Sequence, residues 1–497
     1  MDDFFPRSYK VLKKLNLENE SVRRLEPGLR RTHYRAVINW LQYESPLQAT
    51  NLEKSRGYLE AFQHLFEIND WERAKNILNI KLNTLTSEEL HNQLGTWGYV
   101  REQIQIYEKL LFIAKITNDE AVKAVALGNL GIAYRFVGES IQALECYRSA
   151  MKIAHELRDY SGESAALLGI GNTLRSMGDL QGSIKFYEWA LSITQEIGDK
   201  AGEGKTLGNL GITHGLLGNY LKSIELHHQQ YALAKESSDV KGESSAMGNL
   251  GVAYISLGEY CEGIKFYEQG LEICHQTGDK SGEARILGNL AFAYAALEQF
   301  QRAVELYERS LEIVRNINDK SGEAGILNGL SIVLSALGKS TEALNCCHNS
   351  LRISQEIGDR VGEGWVLNSI GNIFRELEQL EDAIKFYERS LIIANEVGDK
   401  SGQLTAIGNL GSVNGLLEKF SEAMQFHFQA LEIAHEIGDQ RGEANAWFNI
   451  ALTQEILEYY SDSISSYHNA RELYKKITSD NDIQNCDDAI KRVTETN

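Results

Sequence analysis

Several groups of residues in this chain have types and spacings that could do chemistry. Residues 202–206 read GEGKT, like the end of a loop whose glycines and lysine cradle phosphate. Such a loop needs a glycine where Asp199 stands, and forty residues on the same place reads GESSA, then GEARI, so a nucleotide cradle is excluded. His227, His228 and His427 lack the HExxH spacing or the carboxylates of a zinc site. Cys346 and Cys347 lack an identifiable base that would make either a nucleophile. Asp159, Asp199, Asp239, Asp279, Asp319, Asp359, Asp399 and Asp439 recur at one interval, which marks them as helix caps and not as acid and base partners. No catalytic constellation remains, and neither a metal nor another cofactor is expected.

The interval that disposes of these groups is forty residues. Gly251 falls on Gly131, Gly171, Gly211, Gly371 and Gly411, with Ala291, Ser331 and Ala451 completing the column. Asn249 falls on Asn129, Asn209, Asn289, Asn409 and Asn449. Tyr267 falls on Tyr147, Tyr187, Tyr307, Tyr387 and Tyr467, and His227, His427 and Cys347 occupy the same packing column. The period holds from residue 121 to 480 without insertion. A fixed period of this length is the signature of a solenoid, which overrides the several domains that 497 residues would otherwise suggest.

Each period carries two amphipathic segments. In 241–280 they run roughly from Gly242 to Ser256 and from Cys261 to Gln276, with Gly258 between them and Gly278-Asp279 at the junction. The glycine supplies a left-handed C-cap and the aspartate the next N-cap. Small residues in the columns of Gly251 and Gly263 let the paired helices approach closely, and the tyrosines fill the space beside them. All three prolines lie in the first 46 residues, which suits unbroken helices thereafter.

The expected divisions are a helical N-terminal region at 1–80, a degenerate first repeat at 81–120, nine repeats at 121–480, and a tail at 481–497 that makes one short polar helix as a cap. The net charge of −19 argues against nucleic acid and anionic membrane as partners. Neither a secretory signal nor a membrane-spanning stretch is evident. The six cysteines show no CxxC pair, which reads as reduced thiols in a cytoplasmic protein.

The order of small and aromatic residues in LGNLGVAYISLGEYCEGIKFYEQGLEI resembles the tetratricopeptide repeat, with Gly-Asp and six extra residues replacing the usual proline. The forty-residue form is similar to the repeats of Pins/LGN-type adaptors and to cyanobacterial-type bacterial proteins. The resemblance implies an all-α, right-handed superhelix of antiparallel helix pairs, an α-solenoid, whose first helices line a concave groove. It also implies that groove asparagines hydrogen-bond the backbone of an extended peptide, since an amide offers both donor and acceptor.

Asn129, Asn209, Asn249, Asn289, Asn409 and Asn449, with Asn172 and Asn372, are therefore expected to grip a peptide. Arg135, Arg175 and Arg375 share one column, and Lys205 and Arg285 another; these cations either pair with local glutamates or await an anion. Trp365 stands in a column otherwise small or polar and offers an apolar contact, as do Phe136, Phe292 and Phe448. The expected function is a non-catalytic scaffold or adaptor binding an extended, acidic segment of another protein. Alternatives are a homo-oligomerising or sensor module of a bacterial signalling system and, more remotely, a nucleotide-binding or enzymatic protein.

Overall fold

The computed structural model describes residues 5–6, 8–46, 49–84, 88–477 and 479–496. Among them are twenty-six consecutive helices and no strand beyond an isolated bridge between Lys81 and Glu89. From residue 120 on, the chain alternates first helices, such as Val240–Ser256, with antiparallel second helices, such as Tyr260–Thr277.

The periodic residues explain the punctuation. Asp239 accepts a 3.0 Å hydrogen bond from the Gly242 amide, and the pattern recurs from Asp159 to Asp439. The glycine three positions after the cap sits close to it: a β-carbon on Gly282 would stand 2.5 Å from an Asp279 carboxylate oxygen and 2.9 Å from Cys274 Sγ. Second helices end on a left-handed residue, Gly278 at φ +71° being one.

Packing within a pair follows from the small column. A β-carbon on Gly131 would meet the Tyr147 ring at 2.7 Å, so the glycine exists to admit the tyrosine. Tyr187, Tyr267 and Tyr387 are essentially fully buried against Gly171, Gly251 and Gly371 in this way, and Tyr467 is fully buried against Ala451.

Curvature sets the inner wall. First helices of neighbouring repeats touch one another, whereas among the described residues no two second helices make a comparable contact. The closer spacing lies on the inside of a bend, so the first helices form the concave face and the second helices the convex one.

The coil is tight enough for its turns to meet. Gly98, Gly138, Gly178 and Gly218, at turns inside repeats, lie against Ile357, Val397, Ile437 and Ile477 respectively, each 259 residues later. One superhelical turn therefore takes about six and a half repeats. Ile317, Ile357, Ile437 and Ile477 are buried, whereas Leu157 and Ile197, in the same column of earlier repeats, are exposed. Tyr220 likewise packs with Tyr474 and Ile477.

The ends are built differently from the repeats. The first half of 81–120 keeps only the short helix Leu90–Thr96 before the regular Val100–Thr117. Helices between Ser8 and Leu78 share one core with this pair, running from Val11 to Leu130. The C-terminal helix Asp480–Thr496 is amphipathic and not merely polar: Cys486, Ala489 and Val493 are buried, the last two against Ala451 and Tyr467.

Candidate binding groove

The concave wall is more apolar than its asparagines suggest. Ile132, Val252, Phe292, Ile332 and Leu452 fall in one column of the first helices and are all exposed; Phe292 is 61% accessible. Leu216, Leu416 and Ile456 extend the stripe near the helix ends, and Trp365 is 38% accessible on the same wall. Exposed apolar residues aligned over successive repeats form a continuous contact surface. The signal was present in the columns of Val252 and Ser256, where bulky residues recur.

The asparagines divide by partner. Asn249 Nδ2 donates to Gln230 Oε1 at 3.2 Å, and Asn409 Nδ2 to Asn368 Oδ1 at 3.3 Å, so these two have partners on neighbouring helices. Asn172 Oδ1 accepts from the Tyr187 hydroxyl and from Arg175, and Asn372 Oδ1 accepts from the Tyr387 hydroxyl. Asn129 lines an apolar hollow of about 260 Å³ with Leu78, Tyr107 and Val125, at the junction with the N-terminal helices. Asn289 lines a groove cavity of about 570 Å³ with Arg285, Phe292 and Ile326. Asn209 and Asn449 are half-buried on the first helices.

The cations of the chain fall into two sets. Along several repeat junctions, the glutamate following the cap glycine takes a nearby cation: Lys280 and His275 hold Glu283, Lys320 and Arg315 hold Glu323, and Arg360 holds Glu363. Burial pushes the Glu283 and Glu323 carboxyls up, but these pairs outweigh it and leave both below the usual range. Among the described residues, Arg135, Arg175, Arg375, Lys205 and Arg285 have no ion pair.

Arg135 and Arg175 stand on adjacent first helices, beside Tyr147 and Tyr187. Arg135 Nε and Arg175 Nη1 are buried without a hydrogen-bond partner. Burial depresses the Arg175 pKa most, the Tyr187 hydroxyl opposes it, and the charge of Arg135 depresses it further. A buried, unpartnered polar atom costs about 1–3 kcal/mol, more where the group is charged. Two guanidiniums on neighbouring helices thus repel each other with no carboxylate paired to either.

The groups set aside as chemistry are structural here. Residues 202–206 lie inside the helix Lys200–Leu216, with Asp199 accepting from the Gly202 amide. His227 and His427 are buried in the tyrosine column, and burial lowers both pKa values to about 4. All six cysteines are free, and burial pushes Cys347 up to about 11. No described helix is long and apolar enough to cross a membrane.

A tetratricopeptide repeat family model matches residues 122–196, 162–236, 242–316, 322–396 and 366–436, more than half of the chain. The chain belongs to the tetratricopeptide repeat family. That match bears on the repeat family and not on the narrower likeness to Pins/LGN-type or cyanobacterial proteins. Among solved structures, BtubC (BKLC) from P. vanneervenii is 19% identical, with a TM-score of 0.36 over 45% of this chain and 91% of that one. A Rap protein complexed with Competence and Sporulation Factor is 15% identical, with a TM-score of 0.49 over 78% and 99%. Cut9–Hcn1, described as an APC/C hetero-tetramer, is 14% identical, with a TM-score of 0.43 over 88% and 89%. No curated protein gives a significant match.

Proposed function

We propose that this tetratricopeptide repeat protein is a non-catalytic scaffold whose concave groove binds an extended, acidic and partly apolar segment of another protein. The carrying observation is the Arg135–Arg175 pair, half-buried on neighbouring first helices, each with one buried unpartnered nitrogen and neither with a carboxylate partner, in a chain of net charge −19. A carboxylate entering there would give both guanidiniums the charge-assisted bonds they lack, at about 1.5–3 kcal/mol each. Phe292, Ile332 and Trp365, further along the wall, supply contacts for apolar side chains of the same segment. Asn289, beside Phe292 and Arg285, is the asparagine best situated to reach its backbone.

Capture from native lysate on immobilised wild type and on Arg135→Glu/Arg175→Glu, side by side, tests the proposal. A partner held by the wild type and lost from the variant is expected. Equal capture of the same partner by both, with the variant folded by circular dichroism, would overturn the assignment of these arginines.

A further inference from the structure

Two residues on the helix Asn51–Glu67 and one on Leu29–Leu41 turn their donor atoms to a common point. His33 Nδ1 lies 3.2 Å from His64 Nδ1 and 3.4 Å from Glu67 Oε2; His64 Nδ1 lies 3.7 Å from the same oxygen. The helix register produces this triangle. The two helices run antiparallel, and Gly57 meets the Trp40 carbonyl so closely that no room is left for a β-carbon. Seven residues away on each helix, about two turns, the same face presents His33 opposite His64. Glu67 follows His64 by three positions and shares its side of the helix.

From this geometry we infer that His33, His64 and Glu67 form a binding site for a divalent transition-metal ion, with zinc the best fit. Zinc binds imidazole nitrogen at about 2.0–2.1 Å and carboxylate oxygen at about 2.0–2.2 Å, nearly always tetrahedrally. Bonds of that length at the tetrahedral angle separate the donors by about 3.3–3.5 Å, and the three observed edges bracket this range.

The donor chemistry points the same way. Each neutral imidazole has one N–H, and an ionised carboxylate only accepts, so a single Nδ1 proton shared by His33 and His64 serves the edge between them and leaves the other Nδ1 facing Glu67 Oε2 with a lone pair. One cation at the centre satisfies all three donors. Two imidazoles with one carboxylate favour zinc or a neighbouring transition ion over calcium or magnesium, which prefer oxygen ligands.

The histidines are half-buried and Glu67 is exposed, so the fourth coordination position faces solvent and takes a water. Glu67 Oε1 is held by Gln63 Nε2 at 2.9 Å, which steadies the carboxylate while leaving Oε2 toward the histidines. Gln63 in turn contacts Lys109 on the helix Val100–Thr117. The ion would clamp the helix Leu29–Leu41 onto the end of its partner, and through Gln63 and Lys109 it would be linked to the first regular second helix of the array.

Zinc alone, titrated into metal-stripped full-length protein against a chromophoric chelator, tests the site. The histidine and carboxylate variants His33→Asn, His64→Gln and Glu67→Gln go beside the wild type. One ion per chain is expected in the wild type, with affinity at least tenfold weaker in each variant. Glu67→Gln changes an exposed side chain, so its loss of binding cannot be laid to misfolding. Cobalt should give the intense visible absorption of a four-coordinate nitrogen and oxygen site. Equal zinc affinity in wild type and variants, or a cobalt spectrum with thiolate bands from Cys261 or Cys346, would overturn the inference.

Discussion

Gly138 lies against Val397, and a β-carbon on that glycine would stand 2.7 Å from a valine methyl carbon. The two residues are 259 positions apart, so what joins them is the pitch of the coil and not the repeat. The interface makes one column behave in two ways. Ile437 is 6% accessible against Gly178, while Ile197, in the same column of an earlier repeat, is 39% accessible.

Ile437→Ala should therefore cost about 2–5 kcal/mol, the usual range for a buried large-to-small change, and should loosen the coil. Ile197→Ala should do much less. Thermal melting with small-angle scattering checks both: a larger radius of gyration is expected for the first variant only. Equal behaviour of the two would mean that the turns do not touch in solution.

The caps at this interface link it to pH. Burial pushes the carboxyls of Asp319, Asp359, Asp399 and Asp439 above their ordinary 3.8, against the pull of backbone amides such as that of Gly362. A raised folded-state value means that the folded chain binds these protons more tightly than the unfolded one. The stability so gained is fully present below 3.8 and lost as pH rises through the raised values. Asparagine keeps the capping acceptor without the charge. Asp359→Asn should accordingly melt higher than wild type at pH 7, with the gap closing towards pH 4. A variant melting lower at pH 7 would show that the ionised cap is net stabilising there.

How much of this was legible beforehand varies by residue. Gly251, Tyr267 and Asp279 announce the helix pair because their constraints are local and repeat every forty positions. Asn249 and Asn409 look alike in the sequence, yet one meets Gln230 and the other Asn368, because their partners come from neighbouring repeats that differ. The contact of Gly138 with Val397 depends on rotation summed over six repeats, which no single repeat displays. A faint trace exists in hindsight: the column that reads Leu, Ile, Ser and Thr at 157–277 becomes Ile, Ile, Val, Ile and Ile at 317–477. His33 and His64 are 31 residues apart and meet only through a hairpin register set by Gly57.

The apolar stripe gives a separable test. Phe292 is largely exposed, so Phe292→Ser should shift stability by no more than about 0.5 kcal/mol. If the stripe carries binding, the same change should weaken a captured partner by about tenfold or more, as loss of an aromatic anchor does. Isothermal titration beside a melting curve separates the two effects. Unchanged affinity would remove Phe292 from the binding surface.

The central claim is that Arg135 and Arg175 receive a carboxylate from the bound segment. A double-mutant cycle tests it most directly. Peptides selected from a displayed random library on the wild-type chain are measured by fluorescence anisotropy, each as its acidic form and with Asp or Glu changed to Asn or Gln. Both forms are measured on wild type and on Arg135→Gln/Arg175→Gln. The account predicts that either change weakens binding about tenfold or more, and that the two together cost little beyond one alone, since both remove the same bonds. Additive losses, or full affinity for the neutral peptide on the wild-type protein, would contradict it.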